Sequence, residues 1–245
     1  MNLTNQLWLE YQRQGYVVIP DFIDRATIDA LETECSRLVE LNPSHPGSSN
    51  VYEAVGPRAL EATPAARSDS VTYDAIRTAW PLTKDVRDVL FGEGMRNLVQ
   101  ELLRTSTPVL FNEQYLVKQS KSGPKGAFGW HRDSDSLLEA IGRNDIPYLS
   151  VWIAIDDMTE ANGCLVVRSF RAGNGAMGVD GADGSGEEIT IEVAAGTAVV
   201  MSSMLEHMSG PNMTRFSRRA WMPQFSECPI LHPGTNLPVG LSIPL

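Results

Sequence analysis

From Pro108 onward the chain changes to short apolar runs separated by turns, and this change limits the architectures open to it more than any other feature. The runs are VLFNEQYLVKQ, YLSVWIAID, CLVV, EITIEV, TAVVMSS and RRAWMPQFS, rich in the β-branched and aromatic residues that pack on a pleated surface. Many short strands with few helices between them indicate an antiparallel sandwich or barrel, and the double-sheet jelly roll is one common closed form. The expected fold class is mainly β with flanking helices.

The part in front reads as helical. Leu7, Trp8 and Tyr11 share one face that ends at Gly15, and Ile28, Leu31, Cys35 and Leu38 recur at helical spacing, with a short strand over Tyr16–Ile19 between the two helices. Pro43 stops the second helix. Residues 42–70, rich in Pro, Ser, Gly and Ala, lack periodicity and read as a long surface loop. Apolar positions resume at Val86, Leu90, Met95, Leu98, Val99, Leu102 and Leu103, which predicts two short helices broken near Gly92 and Gly94. The length of 245 residues fits one domain, 1–245, with a helical elaboration over about 1–105 and a strand-rich core over about 106–228. A Gly-rich stretch at 172–186 interrupts the strands, and a loop of that length could serve as a lid.

A formal net charge of −10 and a pI near 4.9 argue against a nucleic-acid partner, whose phosphates call for a basic surface. Within this acidic chain the local cluster Arg215, Arg218 and Arg219 suggests an anion site. The N-terminus, MNLTNQLWLEYQRQG, lacks a basic leader and a long apolar run, and no stretch approaches a membrane span, so no membrane partner and a cytoplasmic location are expected. Cys35, Cys164 and Cys228 are odd in number and far apart, which supports a reducing compartment and neither a disulfide framework nor a structural zinc site.

His131 and Asp133 stand two apart, just after Phe128 and Trp130, where an extended strand would turn both side chains to one face and let them grip one metal ion. Taken alone the pair is weak, because four histidines and this frequency of Asp give a chance match about one time in four. Asp135 shares the same face and is the rival carboxylate, though four positions is far for joint chelation on an extended strand. His45 and His232 lie in Pro-rich loops without a spaced partner and read as surface residues.

The segment HMSGPNMTRFSRR, starting at His207, follows the run TAVVMSS and leads into RRAWMPQFS. With the upstream HxD pair and WIAIDDMTEANGCLVV between them, it resembles the phytanoyl-CoA dioxygenase family of iron(II)- and 2-oxoglutarate-dependent oxygenases over residues 108–226. The resemblance implies a double-stranded β-helix, a cupin-like jelly roll, with His131, Asp133 and His207 as both the metal ligands and the catalytic centre. It implies Fe(II), with 2-oxoglutarate and O2 as co-substrates. Two imidazoles and one carboxylate on a single face suit ferrous iron and leave the opposite three positions open. In that family 2-oxoglutarate takes two of those positions and O2 the third, the acid is decarboxylated to succinate and CO2, and a substrate C–H bond is oxidised. Asp133 supplies a carboxylate where related halogenases carry a small residue, so hydroxylation, desaturation or cyclisation is the expected outcome.

The same resemblance implies residues for the co-substrate. Arg218, eleven positions after His207, would grip the distal carboxylate with a bidentate fork, which arginine provides better than lysine. Periodicity alone does not choose between Arg218 and Arg219, which face opposite sides of one strand. Ser209 matches a position that hydrogen-bonds the same carboxylate, Gln114 and Lys118 match co-substrate contacts, and Trp152 matches a lining aromatic. Each has a plain alternative: Ser209 in a turn, Gln114 as a surface amide, Lys118 protecting a sheet edge and Trp152 in the core. The chain departs from the family at Arg168-Ser169-Phe170-Arg171, where many members carry a Pro-Gly-Ser-His turn. Arg168 and Arg171 there either recognise an acidic substrate or solvate the loop.

The function these features imply is oxidation of a small-molecule metabolite in a biosynthetic, secondary-metabolic pathway. A coenzyme A thioester would call for a basic landing surface that an acidic chain offers poorly. Two other classes compete: a cupin-like metalloenzyme that does not use 2-oxoglutarate, which leaves Arg218 unexplained, and a non-catalytic ligand-binding jelly roll, against which the complete triad counts. Oligomeric state is not legible in the sequence.

Overall fold

The computed structural model describes residues 3–41, 49–52, 83–170 and 186–245. The Gly-rich stretch up to residue 185, His45, Arg171 and most of the 42–70 segment lie outside the described residues. The helical front forms where the spacing placed it, as α1 (Leu3–Gln14), α2 (Arg25–Leu41), α3 (Lys84–Leu90) and α4 (Glu93–Leu103), with β1 (Tyr16–Ile19) between the first two. The Asp24 carboxylate accepts the Thr27 backbone N–H at 2.9 Å, capping α2. One stripe of α2, through Ile28, Leu31, Cys35 and Leu38, is buried. The 42–70 segment also contributes a strand the sequence did not predict, β2 (Ser49–Tyr52), which pairs antiparallel with residues 115–118.

The strand-rich part forms two antiparallel sheets. The larger runs β1, β8 (Ala198–Ser202), β5 (Tyr148–Ala154), β10 (Arg218–Ser226) and β3 (Val109–Lys118), and the far edge of β3 is shared by β2 and β11 (Ile243–Pro244). The smaller runs β4 (Phe128–His131), β9 (Glu206–Ser209), β6 (Leu165–Arg168) and β7 (Glu188–Ile191). This is the expected double-stranded β-helix, mainly β with flanking helices.

Strand alternation sorts the large sheet into two faces. Leu149, Val151 and Ile153 of β5, with Trp221 and Phe225 of β10, pack against the helices around Leu31, Leu90 and Leu102. The intervening Trp152, Ala154, Ala220 and Met222 face inward and meet Leu165, Val167 and Ile191 of the small sheet. The candidate site opens from this second interior. A third cluster joins Leu137 and Ile141 of α5 (Asp135–Ile141) to Phe111, Tyr148 and Ile230, fastening the helix beside the mouth of the barrel. Among the described residues no helix is long and apolar enough to cross a membrane, and the three cysteines are free.

Candidate active site

Strands β4 and β9 pair so that His131 and His207 are direct cross-strand partners, with ring centroids 4.3 Å apart. Each ring is held by its own strand's backbone: His131 Nδ1 lies 2.7 Å from the Gly129 carbonyl oxygen, and His207 Nδ1 lies 3.0 Å from that of Leu205. A carbonyl accepts only from N–H, so both Nδ1 atoms carry the proton and both Nε2 lone pairs are left for a metal. Asp133 completes the group, with Oδ1 3.9 Å from His131 Nε2 and 3.6 Å from His207 Nε2. The three ligand atoms lie within 4.8 Å of one another. Burial pushes the His207 imidazole below the ordinary histidine range, which favours the neutral form that binds a cation.

Asp133 does not sit on an extended strand, as the HxD spacing suggested. Strand β4 ends at His131, and Asp133 lies in the turn that starts α5. Its orientation is set from the large sheet. Oδ2 accepts the Ser150 hydroxyl at 2.6 Å and the Gln224 amide at 3.2 Å, and Gln224 is itself held by Asn112 at 3.1 Å and by Ser150 at 2.9 Å. With Oδ2 occupied, Oδ1 is the oxygen turned to the histidines. Sequence reasoning missed Ser150, Gln224 and Asn112, and the signal available was polar residues at inward positions of otherwise apolar strands.

Behind the triad lies a cavity of about 160 Å³, lined among others by Gln114, Phe128, Trp152, Ser209 and Arg218 together with the three ligands. Arg218 is 2% exposed, and its guanidinium lies 5.5 Å from the Trp152 ring centre. One nitrogen donates to the Gly163 carbonyl oxygen, Nε has no partner, and no carboxylate pairs with it among the described residues. Burial lowers its pKa to about 10. An unpaired cation removed from water costs several kcal/mol, a cost that an anion in this cavity would offset. Arg219 points the other way, to Asp156 and Glu32 at 2.6 and 2.8 Å, and is thereby committed to holding α2 on the sheet. Of the two arginines that periodicity left undistinguished, Arg218 lines this cavity and Arg219 does not.

Lys118 is the cross-strand partner of Arg218 and is fully buried. Its ammonium donates to the carbonyls of Gly126 at 2.6 Å and Ser209 at 3.3 Å, outside the lining of the cavity. It does not guard an edge, since β3 is paired on both sides. Gln114 is half-buried and lines the cavity, and Trp152 is core and cavity wall at once. Ser209 is buried on β9. Arg168 is bound to Glu188 and Glu206 and stacks 3.8 Å over Trp130, a framework contact. Asp135 lies outside the three-ligand group, receiving the Arg132 backbone N–H and the Asn144 amide. His232 is half-buried on the C-terminal segment and accepts the Gly234 backbone N–H.

A double-stranded β-helix carrying two histidines and an aspartate at one mouth, with a buried arginine behind them, defines a metal-site jelly roll suited to a carboxylate co-substrate. Residues 11–220 match the phytanoyl-CoA dioxygenase (PhyH) family, and the chain belongs to it. A phytanoyl-CoA dioxygenase of Arabidopsis thaliana is 28% identical over 127 residues, which span 46% of this chain and 43% of that protein, less than half its length. Among solved structures, the non-haem α-ketoglutarate-dependent epimerase SnoN of nogalamycin biosynthesis superposes with a TM-score of 0.68 at 18% identity, covering 99% of this chain and 95% of the other. The carbocyclase SnoK of the same pathway gives 0.66 at 17%, over 98% and 88%. EctD from S. alaskensis, bound to 2-oxoglutarate and 5-hydroxyectoine, gives 0.62 at 16%, over 98% and 80%. At these identities the structural likeness is one of fold.

Proposed function

We propose that this chain is an Fe(II)- and 2-oxoglutarate-dependent oxygenase that hydroxylates, desaturates or cyclises a small-molecule metabolite in a biosynthetic pathway, turning 2-oxoglutarate into succinate and CO2. The observation that carries it is Arg218, a buried guanidinium without an acidic partner, at the wall of a cavity that also holds the His131, Asp133 and His207 ligand atoms. The donor set fits ferrous iron, since two neutral imidazoles and one carboxylate leave open positions for a chelating acid. Bound there, the ion would supply the site at which O2 is reduced.

The chain's own residues do the rest. Arg218 offers a charge-assisted, partly dry contact to the distal carboxylate, with Ser209 beside it on the same cavity. The buried Lys118 adds positive potential from outside the wall. Trp152 and Phe128 exclude water from the co-substrate. Ser150 and Gln224 hold Asp133 so that a single oxygen faces the metal position.

Anaerobic titration of the Fe(II)-loaded protein with 2-oxoglutarate tests this. A weak visible charge-transfer band of a bidentate 2-oxo acid is expected, and it should vanish in His131→Ala while the far-ultraviolet circular dichroism is kept. Iron binding without that band would overturn the 2-oxoglutarate assignment.

A further inference from the structure

The triad separates two cavities. The one behind it holds Arg218, and a second, more open one of about 370 Å³ lies in front, sharing Gln114, His131 and Asp133 with the first. His131, which lines both cavities, is 40% exposed on its side chain, against 6% for His207, which lines only the first. With Arg218 and the co-substrate assigned to the first cavity, the second is the space left beside the metal position for the molecule that is oxidised, and this rests on the oxygenase assignment above.

The wall of that cavity is polar. Besides the ligand Asp133, its charged members among the described residues are the carboxylates of Asp135 and Glu139 and the guanidinium of Arg132, with the amides of Asn112, Gln114 and Gln224 around them. The two carboxylates are placed by α5: burial of Leu137 and Ile141 against Phe111, Tyr148 and Ile230 turns positions 135 and 139, one helical turn apart, toward the opening. Neither forms an ion pair among the described residues; Asp135 accepts the Arg132 backbone N–H and the Asn144 amide and so keeps its charge in place, and Glu139 is exposed at the rim. A chain of net charge −10 also draws cations and repels anions at long range. We infer that the open cavity takes a small polar substrate bearing an ammonium group, which Glu139 and Asp135 attract and orient while the amides read its hydroxyl or carbonyl groups. Acyl thioesters, phosphates and unsubstituted hydrocarbons fit this lining poorly.

The test uses the full chain loaded with Zn(II) and 2-oxoglutarate, which does not turn over, and an equimolar mixture of glucosamine, glucose and glucuronate, similar in size and differing in charge. Ligand-observed saturation-transfer NMR reports each molecule separately. Glucosamine should give the strongest transfer, and Glu139→Gln should weaken its binding about threefold to fivefold, as expected for an exposed charge pair, without changing the 2-oxoglutarate signal. Equal or greater transfer to glucose or glucuronate, or no transfer to glucosamine while 2-oxoglutarate is bound, would overturn the inference. If 2-oxoglutarate itself gives no signal, the co-substrate assignment has failed, and the order among the three sugars still decides the charge of the open cavity.

Discussion

The Ser150 hydroxyl on β5 donates a 2.6 Å hydrogen bond to Asp133 Oδ2, tying a turn at the end of the small sheet to the middle of the large one. The contact leaves Oδ1 alone on the metal side. Ser150→Ala removes the donor, and Gln224 then holds the carboxylate by itself at 3.2 Å. Loss of such a supporting bond typically weakens metal binding about 10- to 100-fold. Competition for Fe(II) with a calibrated chelator measures it, and an unchanged affinity would mean that Gln224 alone suffices.

Arg218 and Arg219 are neighbours with opposite tasks. Arg218→Met should weaken 2-oxoglutarate binding about 10- to 100-fold through loss of a charge-assisted contact, while raising the melting temperature of the unliganded protein by removing a buried, unpaired cation. Arg219→Ala should do the reverse, lowering stability through its lost contacts to Asp156 and Glu32 with little effect on 2-oxoglutarate. Calorimetric titration and thermal melts of the two variants separate the roles, and a co-substrate defect confined to Arg219→Ala would place the anion site on the wrong arginine.

Burial, reinforced by Arg218, brings the Lys118 ammonium from 10.5 down to about 7. Above that pH the folded protein has released a proton that the unfolded chain keeps until about 10.5, so this group's contribution to stability rises with pH across that window. A dianion beside it favours the protonated form. Affinity for 2-oxoglutarate should therefore fall as pH rises from 6.5 toward 8.5, and the slope should flatten in Lys118→Met. A pH-independent wild-type affinity would count against any electrostatic role for Lys118.

Gly163 has φ +78°, follows a short turn in which Thr159 and Asn162 cap each other, and offers its carbonyl to Arg218. A methyl group there would run into the Gly210 carbonyl oxygen. Gly163→Ala should cost more than the roughly 1–2 kcal/mol of a left-handed residue alone and should loosen Arg218 at the same time. Chemical denaturation and 2-oxoglutarate affinity are expected to drop together, and a neutral result would show that this turn can relax.

The order of helices and strands follows from local pattern. Helical spacing through Ile28, Leu31, Cys35 and Leu38 and the nearly unbroken apolar run YLSVWIA, buried along its whole length, dictate which atoms can be hidden, and that information sits in adjacent residues. The same locality explains why α5 was overlooked: DSLLEAI is short and follows a motif that reads as extended, although Leu137 and Ile141 already stand one turn apart.

That His131, His207 and Arg218 meet at one cavity was expected from the family resemblance, which ties their residue types and intervals to one chemistry. Ser150, Gln224 and Asn112 were not, because their role depends on register: β10 pairs Gln224 with Ser150 on one side and Asn112 on the other, and no spacing along the chain encodes that meeting. By itself the sequence determined the jelly-roll class and the ligand types. Tertiary structure decided which oxygen of Asp133 faces the metal position, which arginine is left without an acid, and which side of the triad is open, since each depends on strands brought together from opposite ends of the core.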